Sequence, residues 1–317
     1  MNSRKKIAIL LYRYFPYGGL QKDFLEIAKE LLSRDVTLKV FTRRWEGHIP
    51  EGLSVTEFGQ RGFTNYAKNK NFVKDSYKAL QSYKPDLVFG FNKMPGLDLY
   101  FAADTCFKKE SLKKHPITRF TRRFRQSIEY ELAVFDGNAS TEVFLLNNKQ
   151  AFDFKTSYQL NSNQMTVVPP GINLNWNDHD PIDTHSIFNI QLEDKVALFV
   201  GSDFHRKGLD RAISSIHYLN KHNIPFTLLV IGKDNFGPYS ELVQNFGINE
   251  KVKYLGPRDD VASLMKSSDL LLHPAREEAA GNVIIESLVS HLPVATCSDV
   301  GFAEEVKNHK GGFVLEE

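Results

Sequence analysis

The chain has 317 residues, room for about two domains of ordinary size, and its 42% hydrophobic and 25% charged residues are those of a soluble globular protein. No apolar run approaches the roughly 20 residues that a membrane-spanning helix requires, and the net charge of +2 says little about partners. Cys106 and Cys297 lie far apart and show no metal spacing, which fits a reduced, cytoplasmic setting without a metal site.

The N-terminus is basic (M-N-S-R-K-K), but the apolar segment 7–12 (I-A-I-L-L-Y) is short and leads straight into Arg13, so it predicts a first strand and not a signal peptide. Its unbroken apolar character suits a parallel sheet covered on both faces. A turn, F-P-Y-G-G-L-Q (15–21), follows. Then comes a helix from about 20 to 34, with Leu20, Phe24, Ile27, Ala28 and Leu31 on one side, and a strand over 37–41. Strand, glycine turn, helix and strand form a βαβ start, and such sheets bind ligands beyond the carboxyl ends of their strands. Gly18-Gly19 is either a plain turn or a place where a ligand approaches the backbone. It is not the G-x-G-x-x-G of nicotinamide dehydrogenases, whose ribose-binding acid is also missing after the second strand.

Segment 86–91 predicts another buried strand, and 91–104 (F-N-K-M-P-G-L-D-L-Y-F-A-A-D) the polar stretch beyond its end. There Asn92, Lys93, Asp98 and Asp104 face the carboxyl side of the sheet, with a turn or cap role open to either aspartate. In 107–125 the cations Lys108, Lys109, Lys113, Lys114, Arg119, Arg122, Arg123 and Arg125 are opposed only by Glu110 and are interleaved with Leu112, Ile117, Phe120 and Phe124. That pattern suits an anionic membrane surface or a solvated helix face; no nucleic-acid motif accompanies it. A strand over 142–146 precedes T-V-V-P-P-G-I-N-L-N-W (166–176), where the double proline and Gly171 mark the crossing between domains. The domains are therefore taken as 1–168 and 169–317.

The second domain repeats the alternation. Strand 196–201 runs into S-D-F-H-R-K-G and a helix over 209–219, and strand 226–231 into Gly232-Lys233-Asp234. Strand 252–255 runs into G-P-R-D-D, where Asp259 or Asp260 is placed to cap a helix over 261–267. Strand 269–273 ends at Pro274 and leads to R-E-E-A-A-G-N-V-I-I-E-S-L (276–288), with a further strand at 294–296. Ala279, Ala280 and Gly281 have almost no side chain, so a ligand can reach the start of the following helix, whose first amides suit an anion. Arg206 and Lys207 fall at the same sheet edge, so two cations and a helix start converge as a diphosphate site, flanked by Glu278 and by Glu286 two turns into the helix.

These segments together resemble the retaining glycosyltransferases of family 4. The resemblance rests on 12–24, W-E-G (45–47), 90–104, P-P-G-I (169–172), G-S-D-F-H-R-K-G (201–208) and E-A-A-G-N-V-I-I-E (278–286). The stretch 90–104 narrows it to the enzymes that add glucose to the inner-core heptose of lipopolysaccharide. It implies a GT-B fold, two Rossmann-like parallel-sheet α/β domains facing a cleft, the first on the acceptor side and the second binding the nucleotide sugar. It implies transfer of glucose from UDP-glucose with retention and without a metal, by a peripheral enzyme on the cytoplasmic face of the inner membrane, docked through 107–125.

By the same resemblance Arg206 and Lys207 hold the diphosphate and stabilise the leaving UDP, Glu286 binds the ribose, and Glu278 lies near the donor sugar. Ala280, Gly281, Asn282 and Val283 add phosphate and sugar contacts, and Gly18 and Gly19 let the first domain's loop close on the phosphates. Asp23 and Asp104 match acidic positions near the reaction centre, and Arg258 lies in the loop that frames the base. Two departures stand out. P-P-G-I is followed by N-L-N-W-N-D and not by a cation, and the chain stops at Glu317, where relatives continue into helices that pack back on the first domain. The C-terminal part is thus expected to be incomplete. Another donor or acceptor, or a non-catalytic nucleotide-sugar or lipid-surface binding protein, are the competing readings.

Overall fold

The protein is described by a computed structural model covering residues 4–16, 18–112, 115–158, 160, 162–169, 171–172, 176 and 178–316. The chain divides into two compact units, Met1–Pro170 and Gly171–Glu317.

The first unit contains β1 (Lys6–Leu11), α1 (Gly19–Ser33), β2 (Thr37–Thr42), β3 (Ser54–Glu57), α2 (Asn65–Tyr83), β4 (Leu87–Gly90) and β5 (Leu99–Ala102). It continues with α3 (Phe107–Ser111), a short 3-10 helix (Pro116–Phe120), α4 (Arg122–Phe135), β6 (Glu142–Leu145), α5 (Asn148–Ser157) and β7 (Met165–Val167). The strands form one seven-stranded sheet in the order β3-β2-β1-β4-β5-β6-β7, parallel throughout. A parallel sheet must be covered on both faces, and β1 accordingly buries every residue after Lys6. On one face Phe24 of α1 meets Tyr14, Trp45 and Phe91 edge-on, at centroid distances of 5.8, 6.0 and 5.3 Å. On the other, Phe135 of α4 stacks on Phe154 of α5 at 3.8 Å and meets Tyr100 of β5 at 5.8 Å.

The second unit contains α6 (Thr184–Phe188), β8 (Lys195–Val200), α7 (Phe204–Lys207), α8 (Leu209–Lys221), β9 (Phe226–Ile231), α9 (Gly237–Phe246) and β10 (Val252–Gly256). Then follow α10 (Val261–Lys266), β11 (Leu270–His273), α11 (Asn282–Val289), β12 (Val294–Cys297), α12 (Ala303–Asn308) and β13 (Gly312–Leu315). Its six strands run in the order β10-β9-β8-β11-β12-β13, again all parallel. Both cysteines are buried and free.

Several expectations need correction. The stretch 91–104 is not one loop: it contains β5, and Asp98 stands at the amino end of that strand, accepting the Val88 amide at 2.7 Å, so it is not at the carboxyl edge. The crossing placed at 166–176 begins later, because Met165–Val167 is the seventh strand of the first sheet. Pro170, Asn173, Leu174 and Asn175 of that segment lie outside the described residues, as do Lys113 and Lys114. Asp260 precedes α10 but makes no capping bond, because both its oxygens are taken by Arg258.

Phe135 is fully buried. Phe135→Ala is expected to lower the stability of the first unit by about 3–5 kcal/mol. Urea unfolding followed by Trp45 fluorescence in a Trp176→Phe background checks this.

Candidate active site

In each sheet one pair of neighbouring strands leads away in opposite directions: β8 beside β11 in the second unit, β1 beside β4 in the first. Loops leaving the carboxyl ends of such a pair diverge and open a crevice, the usual ligand site of an open parallel sheet. In the second unit those loops are 201–203 with α7, and 274–281. They are locked together at Gly208. Its φ is +77°, and a Cβ there would collide with the Pro274 carbonyl, so only glycine fits. The Arg276 amide donates to the Arg206 carbonyl at 2.8 Å, and the Arg276 guanidinium grips Asp210 of α8 with two bonds of 2.8 and 2.5 Å. Arg276, read from sequence only as part of a loop, is thus a clamp between the two loops.

This locking brings Arg206, Lys207 and Glu278 together. Lys207 Nζ pairs with Glu278 Oε2, and Arg206 Nη1 reaches the same oxygen at 3.2 Å and the Glu277 carbonyl at 3.0 Å. Asp203, in a left-handed turn at φ +63°, receives the Arg206 amide at 3.3 Å and Nε at 3.1 Å. The Lys207 and Glu278 side chains are only 12% and 13% exposed, whereas Arg206 is 39% exposed and faces outward. Burial pushes the Glu278 carboxyl up, but Lys207 and Arg206 outweigh it and hold the group below its ordinary value, so it remains an anion. The convergence of two cations expected from sequence is present, and an internal carboxylate, Glu278, engages both.

Beneath the cluster, at the end of β11, lies His273, fully buried, with neither ring nitrogen bonded among the described residues. Burial first, then the charge of Lys207, pulls its pKa down to about 3, so it is neutral. Sequence reasoning missed it, and its only signal was a polar residue closing the run D-L-L-L-H. Ala280 and Gly281 are buried at the start of α11, and Gly281 takes φ +88°. The Ala280 and Glu278 carbonyls receive the amides of Phe302 and Gly301, which tie the turn to the end of β12. Asn282 and Val283 begin α11, and Glu286 lies one turn into it, not two. Arg258 stands in the loop after β10, paired with Asp260 and set over the Phe188 ring at 5.9 Å.

In the first unit the structure places Gly18 and Gly19 at the start of α1. The space beside Gly18 is occupied by the folded-back side chain of Gln21, whose amide donates to the Arg13 carbonyl at 3.1 Å, while the space beside Gly19 is open. Asp23 is half-buried on α1. Asp104 is exposed just past β5, and its carbonyl is held by Gln150 at 2.9 Å. The residue that organises this loop is one the sequence did not reveal. Glu131 of α4, with no exposed surface, receives Lys93 Nζ at 2.5 Å, the Phe107 and Lys108 amides at 2.8 Å each, and Tyr158 OH at 2.5 Å. Of the basic segment, Lys108 bonds the Ser157 carbonyl and Lys109 pairs with Asp153, so both are tied to α5. Leu112, Ile117 and Phe120 are 70%, 67% and 76% exposed, beside exposed Arg119, Arg122, Arg123 and Arg125. No described helix is long and apolar enough to cross a membrane.

Comparison with known proteins adds the family. Residues 182–317 match the family described as glycosyl transferases group 1. The chain is 36% identical over 321 residues to the lipopolysaccharide glucosyltransferase WaaG of Escherichia coli (strain K12), an alignment covering 98% of this chain and 85% of that one. It superposes on the crystal structure of WaaG, a glycosyltransferase involved in lipopolysaccharide biosynthesis, with a TM-score of 0.92 at 35% identity, covering 98% and 86% of the two chains. The fold, at 18% identity and a TM-score of 0.71 over 99% of this chain and 86% of the other, is also that of Anabaena HepE, solved with UDP and glucose.

Removing a partner from a buried ion pair strands a charge, so Lys207→Ala is expected to cost about 2–4 kcal/mol, with Arg206 left to shield Glu278 in part. The Glu278 contribution, arising from a depressed pKa, is fully present above the ordinary value of 4.5 and lost as pH falls through the lower folded value. Melting of the second unit against pH, compared between the native chain and Glu278→Gln, is expected to differ in slope only in that acidic window.

Proposed function

The chain belongs to the group 1 glycosyl transferases and has the GT-B fold of two parallel-sheet α/β domains, and from that premise we propose that it moves glucose from UDP-glucose to a heptose of the lipopolysaccharide inner core, with retention at the anomeric carbon. The observation that carries this reading is the Arg206–Lys207–Glu278 cluster at the switch point of the second sheet. When the sugar–phosphate bond breaks, negative charge gathers on the departing diphosphate. Cations already fixed in place stabilise that charge without having to reorganise. Arg206 offers a planar fork at the surface of the cluster, and Lys207 a point charge behind it.

Arg206 is shared between Asp203 and Glu278, so two carboxylates balance the two cations, and an incoming diphosphate has to compete with them. In this proposal the diphosphate takes over the cations and Glu278 turns from Lys207 towards the hydroxyls of the sugar. An ionised carboxylate only accepts hydrogen bonds, which suits a ring bearing donors. Glu286, one turn into α11, then receives the ribose, the turn at 280–283 adds backbone contacts, and Arg258 frames the base after exchanging its bond to Asp260. Gly18, Gly19, Asp23 and Asp104 keep the roles that the resemblance gives them, with Asp104 lining the donor sugar's face.

The lipid-linked acceptor would be met at the cytoplasmic side of the inner membrane, with the protein held there peripherally. The support for this is the exposed Leu112, Ile117 and Phe120 among exposed arginines, an apolar and cationic surface suited to anionic headgroups.

Calorimetric titration is expected to show UDP and UDP-glucose binding, weakened about tenfold or more in Arg206→Ala, which removes charge-assisted phosphate bonds. Glu286→Ala is expected to weaken both, and UDP-galactose and ADP to bind less well. Radiolabelled transfer to heptose-terminated lipopolysaccharide tests the reaction, and equal transfer from UDP-galactose would overturn the donor assignment. Arg119→Gln/Arg122→Gln/Arg123→Gln is expected to reduce sedimentation with anionic vesicles while leaving UDP affinity unchanged.

A further inference from the structure

Parallel neighbours need a crossover of a dozen or more residues, usually a helix, yet β4 and β5 are joined by only the eight residues 91–98. The layer beside α2 therefore lacks a helix above these strands, and the strap Met94-Pro95-Gly96 covers the gap only in part. A cavity of about 530 Å³ remains, within the size range of small-ligand sites. Leu10 lies at its base, at the carboxyl end of β1, and Val73 and Leu80 form its wall. It opens beside β1 and β4, where the order of the first sheet reverses, the place where such sheets hold ligands.

Two features indicate what would fill it. Ser76, 2% exposed, is among the residues that line the cavity, and its buried hydroxyl has no partner among the described residues. Lys74 and Lys78, one helical turn apart and exposed, also line it, and neither forms an ion pair with another described residue. The only acid between them, Asp75, is turned to Arg61. The geometry points to a binding site for an anionic amphiphile: a single acyl chain in the apolar cavity, with a phosphate or carboxylate head between Lys74 and Lys78. Long cationic side chains over an apolar hollow serve both parts of such a molecule. The site belongs to the first unit, uses neither Arg206, Lys207 and Glu278 nor the exposed arginines of 119–125, and does not rest on the transferase reading.

The full chain is titrated calorimetrically with decyl phosphate below its critical micelle concentration, with inorganic phosphate and decyl glucoside as controls. One-to-one binding of decyl phosphate is expected, with slower amide exchange across 65–83 on binding. Lys74→Gln/Lys78→Gln, both surface changes, is expected to weaken binding by about tenfold, the value of a charge-assisted bond. Ser76→Leu, which fills the cavity, is expected to abolish binding, and Arg122→Gln/Arg123→Gln to leave it unaltered. No binding, equal binding by inorganic phosphate, or undiminished affinity in the lysine pair would each overturn the site, whether or not Ser76→Leu folds. A lysophosphatidic acid compared with an acylated glucosamine phosphate of equal chain length distinguishes a membrane lipid from a glycolipid as the source of the chain.

Discussion

A carboxylate with little water around it stays charged only while cations or hydrogen-bond donors stand beside it, and the second unit is built around one such group. Glu278 is held by Lys207 and Arg206, which arrive on a different loop from a different strand. For that pairing to exist, α7 and the turn after β11 must keep register to within an ångström or so. Gly208 allows the two backbones to touch, Arg276 bonds both the other loop and Asp210, and Asp203 fixes the fork of Arg206. The same rigidity makes the cations available as a pair to any anion that can compete with Glu278. The cation pair is therefore fixed in place by the protein's own contacts. Its cost is internal, the desolvation of Lys207 and Glu278, and the mutual attraction of the pair offsets it.

The first unit meets a similar problem in another way. Its buried acid, Glu131, is fully satisfied by a lysine, two backbone amides and a phenol, and it leaves no vacancy for a ligand. Its position at the start of α3 suits a negative charge, and through Lys93 it joins the end of β4 to α4. Thus one unit uses a buried acid to present cations and the other uses one to fix a loop. Asp104 and the arginines of 119–125 lie on either side of Phe107 and Lys108, whose amides Glu131 holds, so the loop carrying the acid and the surface carrying the arginines share one anchor.

The sequence was most legible where burial is continuous. The runs 7–12, 196–201, 226–231 and 269–273 appear within a residue or so as strands, because a strand covered on both faces has no need of polar alternation. The meeting of Arg206, Lys207 and Glu278 was legible too, since three residues at the carboxyl edge of one parallel sheet have few other places to go. The long helix α2 was not. It buries only Phe72 and Ser76, and its K-N-K-N-F-V-K-D stretch has a faint apolar period. Strand β5 was hidden because Asp98 and the preceding proline and glycine look like a loop. Glu131 gave no local sign at all, being one of two glutamates on α4, and its lysine partner is 38 residues away.

Brevity between β4 and β5 links these unread features. With only eight residues the chain cannot raise a helix, so it must double back close to the sheet, and Leu97 is pressed against Gly90, where any side chain would collide. The strap that results carries Lys93 inward to Glu131 and leaves Met94-Pro95-Gly96 as the thin roof over the space beside α2. A longer connection with a helix would fill that space and move Lys93 away from Glu131, so the anchor and the cavity are two consequences of a single short crossover. This also explains why 90–104 reads as so specific a stretch: its residues satisfy the geometry of a tight strap, a buried cation and a sheet edge at once, and few sequences meet all three.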